Sequence, residues 1–593
     1  MKDHYKGMRT HFCGELRKED SGSEVTLMGW VRRRRDHGGL IFVDLRDRYG
    51  ITQVVFNPQM PDELFNLAEK LSVEDVLKIT GKVGERPEGT LNPNLETGEI
   101  EVNAKFLELL SEAETPPFEI KEEVEASEDL RLEYRYLDLR RVNMRDAIIT
   151  RHKFYQSVRK FMSGKGFIEI ETPVLTKSTP EGARDFLVPS RISKGKFYAL
   201  PQSPQIYKQI LMVSGFDKYF QIVKAFRDED LRADRQPEHT QIDIEMSFVE
   251  ERHVQKMAEE LMATVFKEII DVELPLPFPR LTYDDAMKRF GSDKPDMRFG
   301  VELTDISERA ANSDFQIFKD AVAEGGIVSC ISAPAKGSFS RKIIDELTEF
   351  VKIYGLKGLS WAKVENGGLT GGVSKHFPEN QQSELIEEVG AEDGDVIFFA
   401  ADKAETVLNG LGALRLEIGK KLELVTSDEF VPLWVTDFPM FELDEDTGKY
   451  TAMHHPFTSP QTEDLDFLES EPLRVKAKAY DMVFNGSELG GGSIRIHSRD
   501  VQTRVFKALG IGEKEADEKF GFLLKALSYG APPHGGIALG LDRIVAAMLR
   551  KNSIRDVIAF PKTASASALM EKAPSEVSEE QLKELGIKLE PNL

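Results

Sequence analysis

The sequence predicts an α+β chain of several domains: an N-terminal β-barrel, an antiparallel-sheet domain with helices, and an α+β domain inserted into it. Three observations carry this. Short alternating strands fill residues 1–107, with one helix before the fourth. A cleaner alternation follows at Ile242, Ile244, Met246 and Phe248. Between residues 286 and 426 the texture changes and glycine becomes frequent, before strand-rich sequence returns at residues 433–437. A chain of 593 residues also exceeds what one core holds, so three or four domains are expected.

In the barrel, Val25, Leu27, Gly29 and Val31 alternate with exposed positions, and Ile41, Val43 and Leu45 repeat the pattern. The turn Asp47-Arg48-Tyr49-Gly50 leads to Ile51, Val54 and Val55. A helix after Pro61 puts Leu64, Phe65, Ala68 and Leu71 on one face, and strands resume over residues 76–83 and 100–102. Five short strands with a helix before the fourth suggest an OB-fold, whose strand face takes single-stranded nucleic acid. Arg32, Arg33, Arg34 and Arg35, with Phe42 on the next strand, offer charge and a stacking surface. From this segment alone, a barrel used for protein contacts is the alternative.

Residues 108–140 are acidic, contain Pro116 and Pro117, and turn basic at Arg131, which reads as a hinge. Residues 141–285 open with an amphipathic helix carrying Ile148, Ile149, Phe154, Tyr155, Val158, Phe161 and Met162, stopped by Gly164 and Gly166. A strand at residues 167–170 ends at Pro173, and from there to about residue 280 strands are expected to dominate. Residues 286–426 form the inserted domain, with one helix over 342–354 and a strand over 359–364. Residues 427–593 return to the sheet domain and its C-terminal extension.

The formal charge of -23 argues against a uniformly basic nucleic-acid binder, but a local patch decides phosphate contact, and the arginine run is one. No run of eighteen apolar residues predicts a membrane span, and residues 1–12 lack the apolar stretch of a secretory signal. Cys13 and Cys330 supply neither a disulfide framework nor a four-ligand zinc site, as expected of a cytoplasmic protein.

Three separated segments carry chemistry. The first is the helix and strand ending in Glu171-Thr172-Pro173. The second is Phe226-Arg227-Asp228-Glu229, a strand running into a polar loop and back into strand at Ile242. The third is Gly540-Leu541-Asp542-Arg543, preceded by Gly535-Gly536-Ile537 and opening an apolar helix. Each is common alone. In this order and setting they are similar to motifs one, two and three of class II aminoacyl-tRNA synthetases, while class I signatures and a Walker A loop are absent.

That resemblance implies a class II antiparallel-sheet catalytic domain and ATP as cosubstrate. Attack of a carboxylate on the α-phosphorus builds negative charge on phosphate oxygens, which an Arg fork stabilises without a proton change. It implies two catalytic residues: Arg227 on the α-phosphate and the amino-acid carboxylate, and Arg543 on the γ-phosphate at a helix start, where the dipole favours anions. Asp228, Glu229, Gln236, Glu488, Gly540, Leu541 and Asp542 complete the implied ATP site. Asp481 and Glu488, flanking Asn485-Gly486 before Gly490-Gly491-Gly492-Ser493, are implied ligands of Mg²⁺, which prefers hard oxygen donors.

The segments Thr179-Pro180-Glu181-Gly182-Ala183-Arg184-Asp185, Gln202-Ser203-Pro204-Gln205-Ile206-Tyr207-Lys208 and Ile494-Arg495-Ile496-His497 resemble the aspartyl-tRNA synthetases, and the insertion resembles their bacterial type. The resemblance implies an L-aspartate pocket with Glu181, Gln205 and Asp243 near the α-amino group and Lys208 and Arg495 on the β-carboxylate. Ile206, Tyr207, Arg227 and His454 complete it. A neutral asparagine side chain would leave Lys208 and Arg495 partly unpaired. A synthetase paralogue re-purposed as an RNA-binding module is the alternative, although both motifs and barrel are kept. The implied partners are tRNA(Asp) and a second copy of the chain, a homodimer joined through the motif-one helix and strand, with no membrane. His37, in Arg35-Asp36-His37-Gly38-Gly39, resembles relaxed members of the family and extends the expectation to tRNA(Asn).

Overall fold

The computed structural model describes residues 5–179, 184–229, 234–335, 339–426 and 428–590. The chain divides into two compact units, residues 1–146 with 568–572, and residues 147–567 with 573–593.

In the first unit, strands Glu24–His37, Leu40–Arg46, Ile51–Phe56, Val76–Glu85 and Ile100–Ser111 close a barrel in the order first, second, third, fifth, fourth. Helix Asp62–Lys70 lies between the third and fourth strands, as the sequence predicts. The alternating residues Val25, Leu27, Val31, Ile41, Val43, Leu45 and Val54 fill the core with Leu77, Ile79 and Val102. The last strand extends beyond residue 107 to Ser111, because its pairing with Val76–Glu85 continues to Ser111 opposite Val76. The expected hinge is not bare linker: it forms helices Glu128–Glu133 and Arg135–Asp138, and Arg135 and Arg141 neutralise the fully buried Asp138.

The second unit is built on an eight-stranded sheet. Its order is Arg280–Thr282, Pro432–Thr436, Ala479–Phe484, Ser487–Ile494, His534–Gly540, Glu238–Ser247, Lys218–Phe226 and Ile168–Glu169. All pairings are antiparallel except those of the two outermost strands. On one face pack Val142–Gly164, through Phe154, Val158 and Met162, and Glu251–Ile270, through Val254, Leu261 and Val265. The stretch from residue 173 to 280 is therefore less strand-dominated than its sequence suggests, since it also holds helices Gln205–Val213 and Glu251–Ile270. Phe248 departs from the alternation as well: it lies past the strand end at φ 59° and is exposed.

The inserted domain has its own five-stranded antiparallel sheet, ordered Leu303–Asp305, Ile327–Ala333, Val396–Asp402, Ser360–Glu365 and Gly368–Thr370. The expected helix spans Arg341–Lys352, and Glu379–Val389 and Ala404–Lys421 join it. Helix Tyr283–Phe290 belongs on both sides of the expected boundary at 286, since Ala286 packs with Leu433 and Val435 of the eight-stranded sheet. No helix among the described residues is long and apolar enough to cross a membrane.

Candidate active site

The central strands carry two opposite faces. In Glu238–Ser247, Ile242, Ile244 and Met246 enter the apolar core, while Asp243 and Glu245 point the other way yet are fully buried. That second face floors a cavity of about 620 Å³, walled by Gln205 and Lys208 from one helix, by Arg227, Glu229, Asp234 and Gln236 around the motif-two loop, by Asp481, Glu488 and Arg495 from the adjacent strands, and by Arg543. The three separated segments converge here. Asp542 joins them: its carboxylate accepts from the Thr240 N–H at 2.7 Å and pairs with Arg151 of the motif-one helix at 2.5 Å.

One end of the cavity is a closed charge network. Lys208 Nζ donates to Asp243 and lies 3.5 Å from Glu245. Arg495 Nε donates to Glu245 Oε1 at 3.0 Å, and its Nη1 reaches Ser493 Oγ at 2.5 Å and His455 Nε2 at 2.8 Å. Burial alone would push the Glu245 carboxyl up, but Arg495 and Lys208 hold it below the usual range. Burial also drives His455 well below the usual histidine value, with Arg495 reinforcing it, so this ring is neutral. Glu245 carries no motif signal, and of the pair His454-His455 only His454 is expected in the site from the sequence. Among the described residues Gln205 Nε2 is buried without a hydrogen-bond partner, and it borders this network.

The other end holds the nucleotide-type features. Arg227 closes the strand Lys218–Phe226, and among the described residues its guanidinium has no ion-pair or side-chain hydrogen-bond partner, although its backbone N–H donates to Pro237. Arg543 follows Gly540 in the first turn of helix Leu541–Met548, donating to the Glu488 carbonyl at 3.0 Å and to Asp234 at 3.2 Å. His239, also unforeseen, lies in this wall; burial and the charge of Arg227 lower its pKa to about 4. Asp481 and Glu488 stand on paired strands, and burial and the neighbouring Asp481 charge raise the Glu488 carboxyl. A Cβ on Gly491 would lie 2.7 Å from Asp481 Oδ1 and 3.8 Å from Glu488 Oε1, so this glycine leaves a small space bounded by both carboxylates. His454 Nε2 lies 3.4 Å from Asp481 and its ring edges against Phe438.

Some expected wall residues sit elsewhere. Ile206 packs with Phe457, Phe506 and Phe520, Tyr207 lines a separate small cleft with Lys177 and Asp185, and Leu541 is core. Each occupies the face of its helix opposite to a wall residue, which motif spacing does not reveal. Asp228 bridges Arg184 through its main chain rather than facing the cavity. Gln236 reaches the wall, but its amide is held by both the N–H and carbonyl of Lys562. Glu229 pairs with Arg235 at 3.0 Å. Glu181 lies outside the described residues.

On the barrel, Arg35, Asp44, Gln53 and Glu101 form a row across four strands: Arg35 bonds Asp44 at 2.6 Å and Gln53 at 3.2 Å, and Gln53 bonds Glu101 at 3.0 Å. Arg32, Arg33 and Arg34 are exposed, and Phe42 is Arg35's cross-strand partner. His37 is exposed at the strand end, paired with Leu40 across Gly38 and Gly39, both with positive φ as a two-residue hairpin turn requires.

Comparison with known proteins agrees with this geometry. Residues 127–564 match the model of class II tRNA synthetases (D, K and N), and residues 25–110 match the OB-fold nucleic acid binding domain. The chain therefore belongs to the class II aminoacyl-tRNA synthetases. It is 55% identical over 582 residues to the aspartate–tRNA(Asp/Asn) ligase of Desulfatibacillum aliphaticivorans, covering 98% of each chain. It is 56% identical over 583 residues, again 98% of each, to the aspartate–tRNA ligase of Bacillus licheniformis. Within its class it is thus a member of the bacterial aspartyl-tRNA synthetase family, ATP-dependent ligases that join aspartate to tRNA. Among solved structures, the asparaginyl-tRNA synthetase of Pyrococcus horikoshii with asparaginyl-adenylate superposes with a TM-score of 0.58 at 20% identity, covering 93% of this chain and 98% of that one. A putative aspartyl-tRNA synthetase from Leishmania major Friedlin gives 0.58 at 19%, covering 95% of each. At these identities the likeness concerns the fold.

Proposed function

We propose that the 620 Å³ cavity is where aspartate and ATP meet, with the amino acid at the Lys208–Arg495 end and the triphosphate at the Arg227–Arg543 end. The observation that carries this reading is Arg227: a cation without a described partner, between a carboxylate-recognising network and an anion-favouring helix start. There it stabilises the charge that develops on the α-phosphate. Mg²⁺ fits beside Gly491 on Asp481 and Glu488, whose close carboxylates need a cation and, among the described residues, gather no third His, Cys, Asp or Glu ligand. The remaining ligands would come from water and phosphate, as Mg²⁺ prefers, and the ion would neutralise phosphate charge. The protein's own part is to orient the two substrates and keep donors fixed around the reacting atoms.

The barrel takes the anticodon on the row Arg35, Gln53 and Glu101, with Phe42 as a stacking ring and the exposed arginines on phosphate. The enzyme acts in the cytoplasm, where its tRNA is, as a homodimer. The apolar side chains Ile168, Val174, Leu175, Leu187 and Phe197, each about half exposed (47–57%), support a partner surface around motif one. ATP–pyrophosphate exchange with each of the twenty amino acids tests the site: exchange with aspartate alone is expected, and exchange with asparagine or lysine, or none in folded protein, overturns the reading.

A further inference from the structure

Gln236 lines the central cavity where the motif-two loop returns to strand, and its side chain is buried. Both ends of its amide are engaged. The oxygen accepts from the Lys562 N–H at 2.7 Å, while the nitrogen donates to the Lys562 carbonyl at 3.0 Å and to the Arg235 carbonyl at 3.3 Å. An amide nitrogen carries only those two hydrogens, so no donor is left for a ligand. Lys562 stands 326 positions further along, yet its main chain meets this side chain as one strand meets another.

The segment leading to Lys562 is anchored independently. Ile554, Val557 and Ile558 belong to the core that also holds Leu541 and Ile544, and the Val557 carbonyl accepts from Arg151 at 3.1 Å. Lys562 Nζ also lies 3.2 Å from Glu238, the residue opposite Phe226 in the strand pair. The clasp therefore ties the end of the motif-two hairpin to a fixed support.

That end is where Arg227 sits. Strands Lys218–Phe226 and Glu238–Ser247 pair as far as Phe226 opposite Glu238, and the next bond runs from the Arg227 N–H to the Pro237 carbonyl at 2.9 Å. An antiparallel pair at this position exchanges two such bonds, but Pro237 has no N–H to return. The ladder thus opens on a single bond at the residue that carries the guanidinium. Among the described residues that guanidinium has no ion-pair or side-chain hydrogen-bond partner to steady it. The neighbour of Pro237 is Gln236, and its clasp supplies the restraint that the proline withholds.

We propose that Gln236 is a positioning residue for Arg227 rather than a side-chain ligand of ATP, and that the main chain of Lys562 is its anchor. The segment that follows motif three thereby sets the aim of the motif-two arginine. This rests on the placement of Arg227 at the α-phosphate.

Gln236→Leu, Lys562→Pro and Lys562→Met are compared with Arg227→Ala by kcat in pyrophosphate exchange and by equilibrium dialysis of ATP with Mg²⁺. Gln236→Leu removes the clasp, and Lys562→Pro removes its main-chain donor while leaving Gln236 in place. Each should lower kcat about ten- to a hundred-fold, as misplacing a reacting group does, and keep the ATP Kd within about threefold. Lys562→Met keeps both main-chain groups and gives up only a partly exposed ion pair, so its kcat should stay within about threefold. In the Arg227→Ala background, Gln236→Leu should cost no more than about twofold further, because both act through one guanidinium. If one clasp variant does not fold, the other carries the comparison. An ATP Kd raised about tenfold by Gln236→Leu with kcat kept, the loss of one direct contact, makes Gln236 a ligand and overturns the proposal. Unchanged constants in the clasp variants, or a full further loss in the Arg227→Ala background, overturn it too. Near-normal exchange by Arg227→Ala alone overturns the placement of Arg227 itself.

Discussion

The guanidinium of Arg495 lies against the carboxylate of Glu245, Nε to Oε1 at 3.0 Å and Nη2 to Oε2 at 3.3 Å, both residues buried. The pocket that resemblance describes as cationic is therefore balanced before substrate arrives: Lys208 and Arg495 face Asp243 and Glu245. With aspartate placed as proposed, preference for a carboxylate side chain would come from how these donors are held rather than from an excess of charge. An arginine held by Glu245, Ser493 and His455 presents the one N–H left over, on Nη2, in a fixed direction.

This makes the outcome of Arg495→Leu twofold. It should cripple aspartate use, and it should also destabilise the catalytic unit by about 3–5 kcal/mol, because the buried Asp243 and Glu245 are left to share the single charge of Lys208. Arg495→Leu with Glu245→Leu should recover most of the stability and none of the aspartate affinity. Denaturant midpoints and the aspartate KM of the single and double variants measure the two effects separately. Equal stability of Arg495→Leu and wild type would show that Glu245 takes its counter-charge elsewhere.

Arg227→Ala should behave in the opposite way. Its guanidinium holds no described part of the fold together, so the unfolding midpoint should stay put. Pyrophosphate exchange should fall on the order of a hundred- to a thousand-fold, the effect of removing one donor aimed at developing charge. Near-normal exchange in this variant would remove Arg227 from the reaction.

The contrast between these two arginines marks what the sequence discloses. Family resemblance placed both in the site, Arg227 through the motif-two strand and loop and Arg495 through the segment Ile494-Arg495-Ile496-His497. It did not disclose Glu245, because a charged residue alternating with Ile244 and Met246 reads as the solvent face of a half-buried strand. Only the covering helix Gln205–Val213 and Arg495, just past strand Ser487–Ile494, turn that face into an interior. The amphipathic helix Glu251–Ile270 was obscured for a related reason: the strong alternation just before it suggested continued strand. Ile206, Tyr207 and Leu541 show the converse, for neighbours of a motif residue on a helix turn about 100° away from it.

His239 gives a pH prediction. Burial beside Arg227 and Arg543 lowers its pKa to about 4 from 6.5. The unfolded chain therefore binds a proton between these values that the folded chain refuses, so its share of the stability is complete above pH 6.5 and is lost as pH falls toward 4. Going from pH 7.5 to 5, this group should cost about 2 kcal/mol. His239→Phe should flatten that limb of the stability curve by the same amount, read from denaturant midpoints of the catalytic unit's transition. A parallel acid limb in wild type and variant would mean that the ring is protonated in the folded enzyme.

The last prediction concerns which tRNAs are charged. The aspartate and asparagine tRNAs share most of their anticodon and differ at the third base, which the barrel must distinguish. His37 stands at the rim of the arginine-bearing strand, exposed, next to a turn of two glycines with positive φ. An imidazole can donate or accept a hydrogen bond, so it can meet either pyrimidine where an apolar residue would meet neither. The two relatives differ on the same point, one named for tRNA(Asp/Asn) and the other without that qualification. The wild type is expected to aspartylate transcripts of both tRNAs, leaving a separate amidotransferase to complete asparaginyl-tRNA. His37→Leu should lower kcat/KM for the asparagine transcript at least about tenfold, the size of one lost base contact, and leave the aspartate transcript within about threefold. Because His37 touches nothing in the core, the variant folds and the two transcripts serve as each other's control. No detectable charging of the asparagine transcript by the wild type would end this idea, and equal losses on both would make His37 a general tRNA contact without a part in discrimination.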